Sequence, residues 1–200
     1  MAFQALRERW REIVEITNVG PIARRYFVIG AFDGALTVLG IVIGAATTLE
    51  DAPASSQFVV IVSFAAAVAL AISSTVGAYE AERVEKKMRS HSIERAMLVE
   101  LSREHKSAFR AAALYSAGVH GIAPMLAALV PIVPFLAMPF RSAALAATLM
   151  TLAFLFGLGA YLGSIVRERI VFTGLRFVAT GLGTAFLLWA LGSAGLRIVP

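Results

Sequence analysis

The chain has 200 residues, of which 58% are hydrophobic and only 16% are charged, and its mean hydropathy is +0.78. Soluble domains contain about 45–50% apolar and about 25% charged residues, so this composition predicts an integral membrane protein. The absence of cysteine excludes disulfides, thiolate metal sites and cysteine nucleophiles. The net charge of +5 does not indicate nucleic-acid binding, because the basic residues flank apolar runs instead of sharing a solvated face.

The N-terminal region, residues 1–25, is charged and amphipathic and lacks the apolar core of a cleavable signal peptide. Within residues 1–17 the hydrophobic side chains recur near helical spacing, which favours an interfacial helix on the inner membrane surface. Packing of this helix against a cytoplasmic loop is the alternative. The stretch from Asn18 to Pro21 is predicted to end it. Residues 26–200 are predicted to form a single membrane domain.

Five apolar runs are long enough to cross a hydrocarbon layer about 30 Å thick at a helical rise of about 1.5 Å per residue. The predicted fold is therefore an all-α integral membrane protein with five transmembrane helices. A charged segment without Gly or Pro, residues 80–110, follows the second run and predicts a short cytoplasmic helical segment with room for one hairpin at most. The predicted spans are about 26–49, 57–79, 111–138, 142–166 and 171–191.

The positions of the basic residues predict the topology. Of the 18 Lys and Arg residues, all but Arg141 and Arg197 lie at or next to the same predicted side of the membrane. By the positive-inside rule, the N-terminus and residues 80–110 are cytoplasmic and the C-terminus is outside. We expect a multi-pass protein of the cell's inner membrane.

The first span contains one acidic residue, Asp33. A carboxylate inside a membrane helix costs about 2.5–3.5 kcal/mol on insertion scales, so it usually faces a partner, a cavity or an ion path. Asp33 is therefore the first candidate functional residue. The alternative is a structural role, in which Asp33 caps a neighbouring helix or pairs with Arg24 or Arg25.

The third span is unusually rich in helix-breaking residues and contains one histidine. Interruptions are predicted at Gly118, Gly121, Pro124, Pro131 and Pro134, and a broken helix is tolerated in a bilayer only beside protein or a water-lined cavity. The third span is therefore expected to face protein or a cavity, with Pro131 and Pro134 at its break. His120 could relay protons or bind metal, or it could be a hydrogen-bond partner between helices.

The acids at the start of the charged segment are candidate metal ligands at the cytoplasmic mouth of a path, because carboxylates suit divalent cations. They are Glu80, Glu82 and Glu85. The same segment alternates acids with Lys and Arg, as a solvated helix with i,i+4 ion pairs does. Both interpretations stand, although Glu80 and Glu82 lie where the second span leaves the membrane. No catalytic triad, phosphate-binding Gly-rich loop or HExxH helix supports an enzyme.

Three stretches resemble the vacuolar iron transporter family. Asp33-Gly34-Ala35-Leu36-Thr37 is similar to the family's DGLT-type segment in the first span. The residues from Ala71 to Tyr79 resemble its small-residue stretch and G-x-Y element. The residues from Leu129 to Phe135 are similar to its L-x-P-x-x-P-aromatic signature. Together these stretches extend the resemblance over about residues 26–191, nearly the whole chain.

The resemblance implies a five-helix subunit that forms a homodimer, with an ion path between the two copies of the first and second spans. It implies exchange of Fe²⁺ or a similar divalent ion, such as Mn²⁺, against protons, with no prosthetic group. Asp33 would be the pore carboxylate and a metal ligand, and the Pro131/Pro134 break would be the place where the third span accommodates the ion path. Membrane lipids, the metal ion and a second copy are the expected partners, and nucleic acid is not.

Two departures from the family pattern qualify the expected activity. The family's iron transporters carry a methionine where this chain has Ser74, and an intramembrane acid where it has Ala66 or a neighbour. A thioether favours softer transition metals, whereas carboxylates and hydroxyls suit harder ions. The first hypothesis is a proton-coupled exporter of Fe²⁺ or Mn²⁺. The alternatives are a scaffold or regulator of the same fold that does not transport, or a transporter of another cation.

Overall fold

The computed structural model describes residues 11, 14, 17–98, 100 and 102–193, and within that part of the chain it contains helices and no strand. Five α-helices are long and apolar enough to span a membrane, which confirms the predicted fold class. We name them α1 to α5 in chain order. They are α1 (Val19–Thr48), α2 (Pro53–Met97), α3 (Arg103–Ile132), α4 (Phe140–Val166) and α5 (Ile170–Ser193).

The predicted N-terminal helix, residues 1–17, lies mostly outside the described residues. Its described members Arg11, Val14 and Thr17 are helical, and Asn18 then adopts a left-handed conformation with φ of 49°. Asn tolerates this conformation better than most residues. α1 begins directly afterwards and contains Pro21 in its first turn, where proline removes no intrahelical hydrogen bond.

Helix α2 is the longest element, with 45 residues, or about 68 Å at the usual rise per residue. It continues without a break from the second apolar run into the charged segment. The chain turns near Leu98, whose φ is 55°, and α3 returns from Arg103. The predicted hairpin of residues 80–110 is therefore made by the extended ends of two membrane helices.

Helix α3 is less interrupted than the sequence predicts. The α-helix continues through both glycines and through Pro124 and Pro131, and it ends only at Ile132. A 3-10 helix at Val133–Leu136 follows, with Pro134 near its start. Pro124 and Pro131 are both fully buried, so protein neighbours surround the backbone carbonyls that proline leaves without an amide partner.

The chain divides into two compact units. The first comprises Met1–Gly30 and Ala71–Ala123, and the second comprises Ala31–Leu70 and Pro124–Pro200. The second has an apolar core in which Val38, Val42 and Val59 pack with Phe135 and Phe140. The first buries polar side chains, among them Glu82, Lys86 and Ser116.

Glycines permit the close packing of α4 on α5 in the second unit. A Cβ on Gly159 would lie 2.7 Å from the Thr173 carbonyl oxygen, and a Cβ on Gly174 would lie 2.7 Å from the Phe156 ring. Small residues allow such approaches in membrane proteins, where van der Waals contact drives helix association. Gly163 also meets α5, at Ile170 and Thr173, whereas Gly157 faces open space.

Candidate functional site

Asp33 lies within α1, in the second unit, and its side chain is exposed on the single chain. None of the hydrogen bonds or ion pairs found among the described residues includes it, so the predicted pairing with Arg24 or Arg25 is not observed there. A carboxylate at this depth of an apolar helix is costly against lipid. We infer that Asp33 faces either a second protein chain or water.

The neighbouring residue, Gly34, fixes the position of this part of α1. A Cβ at Gly34 would overlap the Pro124 carbonyl oxygen and would lie 2.8 Å from the Pro124 carbonyl carbon. These are backbone atoms, which cannot swing aside as the end of a flexible side chain can. The carboxylate of Asp33 is thus next to Gly34, the small residue that lets α1 pack against α3.

Replacing Gly34 by alanine should destabilise the protein, because α1 and α3 would have to move apart. Overpacking typically costs about 1–3 kcal/mol. We expect the free energy of unfolding of Gly34→Ala, measured by denaturant titration in detergent micelles, to fall by about this amount. Gly44→Ala is the matched control on the same helix, since a Cβ there meets nothing within 4 Å. An equal loss in both variants would contradict the close contact at Gly34.

A second group of polar side chains lies in the first unit and surrounds Tyr26. We call it the inner cluster, and its members are Arg25, Tyr26, Glu82, Lys86 and His120. The His120 ring lies 5.0 Å from the Tyr26 ring, centroid to centroid, and the Arg25 guanidinium carbon lies 5.6 Å from the same ring centroid. The Tyr26 hydroxyl faces the Glu82 carboxylate. Three helices therefore contribute to one polar cluster.

The hydrogen bond of His120 defines its tautomer. Its Nδ1 lies 2.8 Å from the Tyr26 carbonyl oxygen, and because a carbonyl can only accept, the Nδ1–H must donate. Nε2 is then the only ring nitrogen with a free lone pair in the neutral imidazole. The predicted helix-to-helix contact of His120 is thus observed, while its role as a proton relay or metal ligand stays a prediction.

Glu82 and Lys86 form a buried ion pair one helical turn apart. Their side chains are each 6% exposed, and Lys86 Nζ lies 3.7 Å from Glu82 Oε2. This distance is too long for a strong hydrogen bond, and Glu82 Oε2 has no hydrogen-bond partner. Glu82 therefore keeps one buried carboxylate oxygen whose only charged partner among the described residues is the Lys86 ammonium.

The other two predicted acids point elsewhere. Glu80 is exposed and pairs with Arg83 at 3.0 Å, and Glu85 is exposed. Further along α2, Glu94 accepts a hydrogen bond from Lys106 at 3.0 Å, and this bond raises the pKa of Lys106, which precedes the apolar part of α3. Within the described part of the chain, no three His, Asp or Glu side chains come together as a metal site. Of the three predicted acids, Glu82 is buried, whereas Glu80 and Glu85 are exposed.

The remaining predicted residues lie on α2 and at the end of α3. Ser74 is half-buried on α2, in the first unit. Pro131 and Pro134 are buried in the second unit, where α3 passes into the 3-10 helix. No hydrogen bond or ion pair found among the described residues includes Ser74, and the role of these three residues along an ion path stays a prediction.

Similarity to known proteins identifies the family of this chain. The family model described as the VIT family matches residues 24–106 and 80–193, which together include α2 to α5 and all but the first five residues of α1. The chain belongs to the VIT family. This confirms the resemblance to the vacuolar iron transporter family, whose members are membrane transporters and not enzymes.

VIT family membership and the five apolar helices establish a multi-pass membrane protein with metal ion transport as its general activity. The chain is also similar to an uncharacterized protein of Methanocaldococcus jannaschii. The two are 28% identical over 189 residues, which cover 92% of this chain and 95% of the archaeal protein.

Sequence reasoning missed two members of the inner cluster in this VIT family protein, Tyr26 and Lys86. The hydropathy pattern identifies Tyr26 only as the start of an apolar run, and the charge pattern places Lys86 only on a solvated face. One signal was available, since Lys86 follows Glu82 by four residues and such pairs meet on one face of a helix. The burial of that face could not be read from the sequence.

Proposed function

We propose that this protein is a proton-coupled transporter that exports Fe²⁺ or Mn²⁺ from the cytoplasm across the inner membrane. Membership of the VIT family supports metal transport in general. The observation that carries the finer proposal is Asp33, an exposed carboxylate within an apolar helix. Carboxylate oxygens suit both ions, and the cost of placing one in lipid is removed if it lines a wet passage.

The proposed assembly is a homodimer in which the exposed face of α2 meets a second copy. Four small residues, Ala65, Ala69, Ser73 and Gly77, lie exposed at four-residue intervals along this helix. In lipid, such a line of small residues lets two helices approach closely. A second copy would also cover Asp33, which no group of its own chain pairs with among the described residues.

The coupling is proposed to arise because Asp33 binds either a metal ion or a proton. A divalent cation beside a carboxylate favours its charged form, while removal from water favours its protonated form. Metal arriving from the cytoplasmic side would displace the proton, and a proton arriving from outside would displace the metal. The positive-inside distribution of Lys and Arg supports the orientation that this direction requires.

Reconstitution in proteoliposomes tests this function. Mn²⁺ or Fe²⁺ is added on the side of the membrane that bears the α2–α3 hairpin, and the opposite side is made acidic. We expect saturable metal flux away from the hairpin side and proton movement towards it. An entrapped metal-sensitive dye and a pH dye report the two fluxes separately. Metal flux that is unchanged when the pH gradient is collapsed with an ionophore would contradict proton coupling.

Ser74 favours a second candidate function. The hydroxyl stands where the family's iron transporters have a methionine, and a protein that lacks this thioether and the second acid could act as a scaffold of the same fold, or carry another cation. Titration calorimetry with Mn²⁺, Fe²⁺ and Zn²⁺ separates these cases. Absence of any saturable binding that depends on Asp33 would favour the scaffold.

The same position offers a selectivity test. Because a thioether prefers softer metals, Ser74→Met should raise the ratio of Fe²⁺ flux to Mn²⁺ flux by a few-fold. Ile72→Met is the matched control, since Ile72 is exposed on the same helix and lies outside the line of small residues proposed to meet the second copy. An equal change in both variants would mean that the thioether acts through bulk or lipid contact and not on the ion path.

A further inference from the structure

A cavity of about 380 Å³ lies between α2 and α3 in the first unit, within the hairpin. We call it the hairpin pocket. Asp33 is not among its lining residues, and Lys86 is the one residue that it shares with the inner cluster. Its lining residues are Tyr79, Arg83, Lys86, Lys87, Ser90, His91, Glu94, Lys106, Phe109, Arg110 and Ala113.

The lining of the hairpin pocket is strongly basic, with five Lys or Arg side chains and one carboxylate. Three of the cations are compensated within their own hairpin, since Arg83 pairs with Glu80, Lys86 with Glu82 and Lys106 with Glu94. The other two cations of the lining are Lys87 and Arg110.

Lys87 on α2 and Arg110 on α3 are exposed and take part in no ion pair found among the described residues. Two facing helices thus present one uncompensated cation each to the same cavity. A concave site of one charge sign with low-dielectric walls concentrates the field and attracts ions of the opposite sign. The pocket therefore has the electrostatics of an anion site.

The position of the hairpin pocket indicates which kind of anion it is suited to bind. Tyr79 and Ala113 lie where the second and third apolar runs end and begin, so one end of the pocket is at the level of the membrane boundary. The buried Phe109 adds apolar surface beside the cations. Basic pockets of this kind between transmembrane helices recognise phosphate-bearing headgroups.

We propose that the hairpin pocket binds a phosphate group, carried either by a phospholipid headgroup at the membrane surface or by a soluble phosphate. Arg110 supplies the planar fork that matches two phosphate oxygens, and Lys87 supplies a point charge from the opposite wall. Tyr79 and Phe109 accommodate the carbon atoms attached to the phosphate. This site is independent of the proposed metal path.

Calorimetric titration of the purified full chain in a non-ionic detergent tests the proposal. The probes are dihexanoylphosphatidylglycerol and, separately, inorganic phosphate. We expect saturable binding of at least one of them, and an increase of tenfold or more in Kd in the double variant Lys87→Gln, Arg110→Gln. Binding of the lipid alone identifies a headgroup as the source, and equal binding of inorganic phosphate identifies a soluble one.

The matched control is the double variant Arg89→Gln, Arg103→Gln. It removes the same charge from exposed positions on the same two helices that do not line the pocket. We expect Kd to change less than twofold. Equal weakening by the two double variants, or no saturable binding of either probe, overturns the proposal. If gel filtration shows that the double variant Lys87→Gln, Arg110→Gln does not elute at the wild-type volume, the single variant Lys87→Gln is used instead. We expect Kd of this single variant to rise threefold or more.

Discussion

Replacing Asp33 by asparagine should reduce metal flux in proteoliposomes at least a hundredfold, while the protein remains folded. The amide has nearly the shape of the carboxylate, but it carries no charge and cannot release a proton, so both metal binding and coupling at this position are lost. Asp33 is exposed on the single chain, so its substitution leaves the buried core of that chain unchanged. Flux measured with an entrapped dye checks the loss, and gel filtration checks the fold.

Asp51→Asn is the matched control for this experiment. Asp51 lies in the link between α1 and α2, where its Oδ1 accepts a hydrogen bond from the Arg141 amide at 3.3 Å, near the start of α4. The asparagine oxygen can accept the same bond, so we expect flux within twofold of wild type. If Asp33→Asn also retains wild-type flux, Asp33 takes no part in transport and the proposed mechanism is wrong.

Breaking the buried ion pair of Glu82 and Lys86 should greatly lower the stability of the protein. Removing one partner leaves the other charge buried and uncompensated, which typically costs about 3–5 kcal/mol. We expect Lys86→Met to lower the free energy of unfolding by this amount, measured by denaturant titration in micelles. The double variant Glu82→Gln, Lys86→Met should recover most of the loss, because neither buried charge remains.

An exposed ion pair on the same helix provides the control for these stability measurements. Glu80 and Arg83 are 53% and 63% exposed in their side chains, and exposed pairs contribute about 0–1 kcal/mol. We therefore expect Glu80→Gln to change stability by less than about 0.5 kcal/mol. A cost of Lys86→Met as small as that of Glu80→Gln would show that the pair is solvated in the folded protein.

Much of the fold could be predicted because hydropathy acts over local stretches of chain. The five spans follow from run length, and the helical character of residues 80–110 follows from the absence of Gly and Pro. The turn near Leu98 could not be located, since no Gly or Asn marks its left-handed residue. The continuity of α3 through Pro124 was also missed, because only burial decides whether neighbours compensate the missing hydrogen bond.

The site was less predictable for a related reason. Asp33 and Glu82 could be singled out as acids next to or within apolar runs, since the cost of burying charge makes them unusual. The inner cluster could not, because Tyr26 and His120 are 94 residues apart and only tertiary packing brings them together. Likewise, hydropathy cannot tell that Glu82 turns inward while Glu80 and Glu85 face outward.

The hydrogen bond between His120 and the Tyr26 carbonyl limits what this imidazole can do with a proton. A conducting histidine takes up a proton at one nitrogen and gives one away from the other, and the second nitrogen must face a group that can pass it on. Here the second nitrogen faces an amide oxygen, which carries a proton no further. A proton taken up at Nε2 would therefore have to leave from Nε2 for as long as this bond is kept.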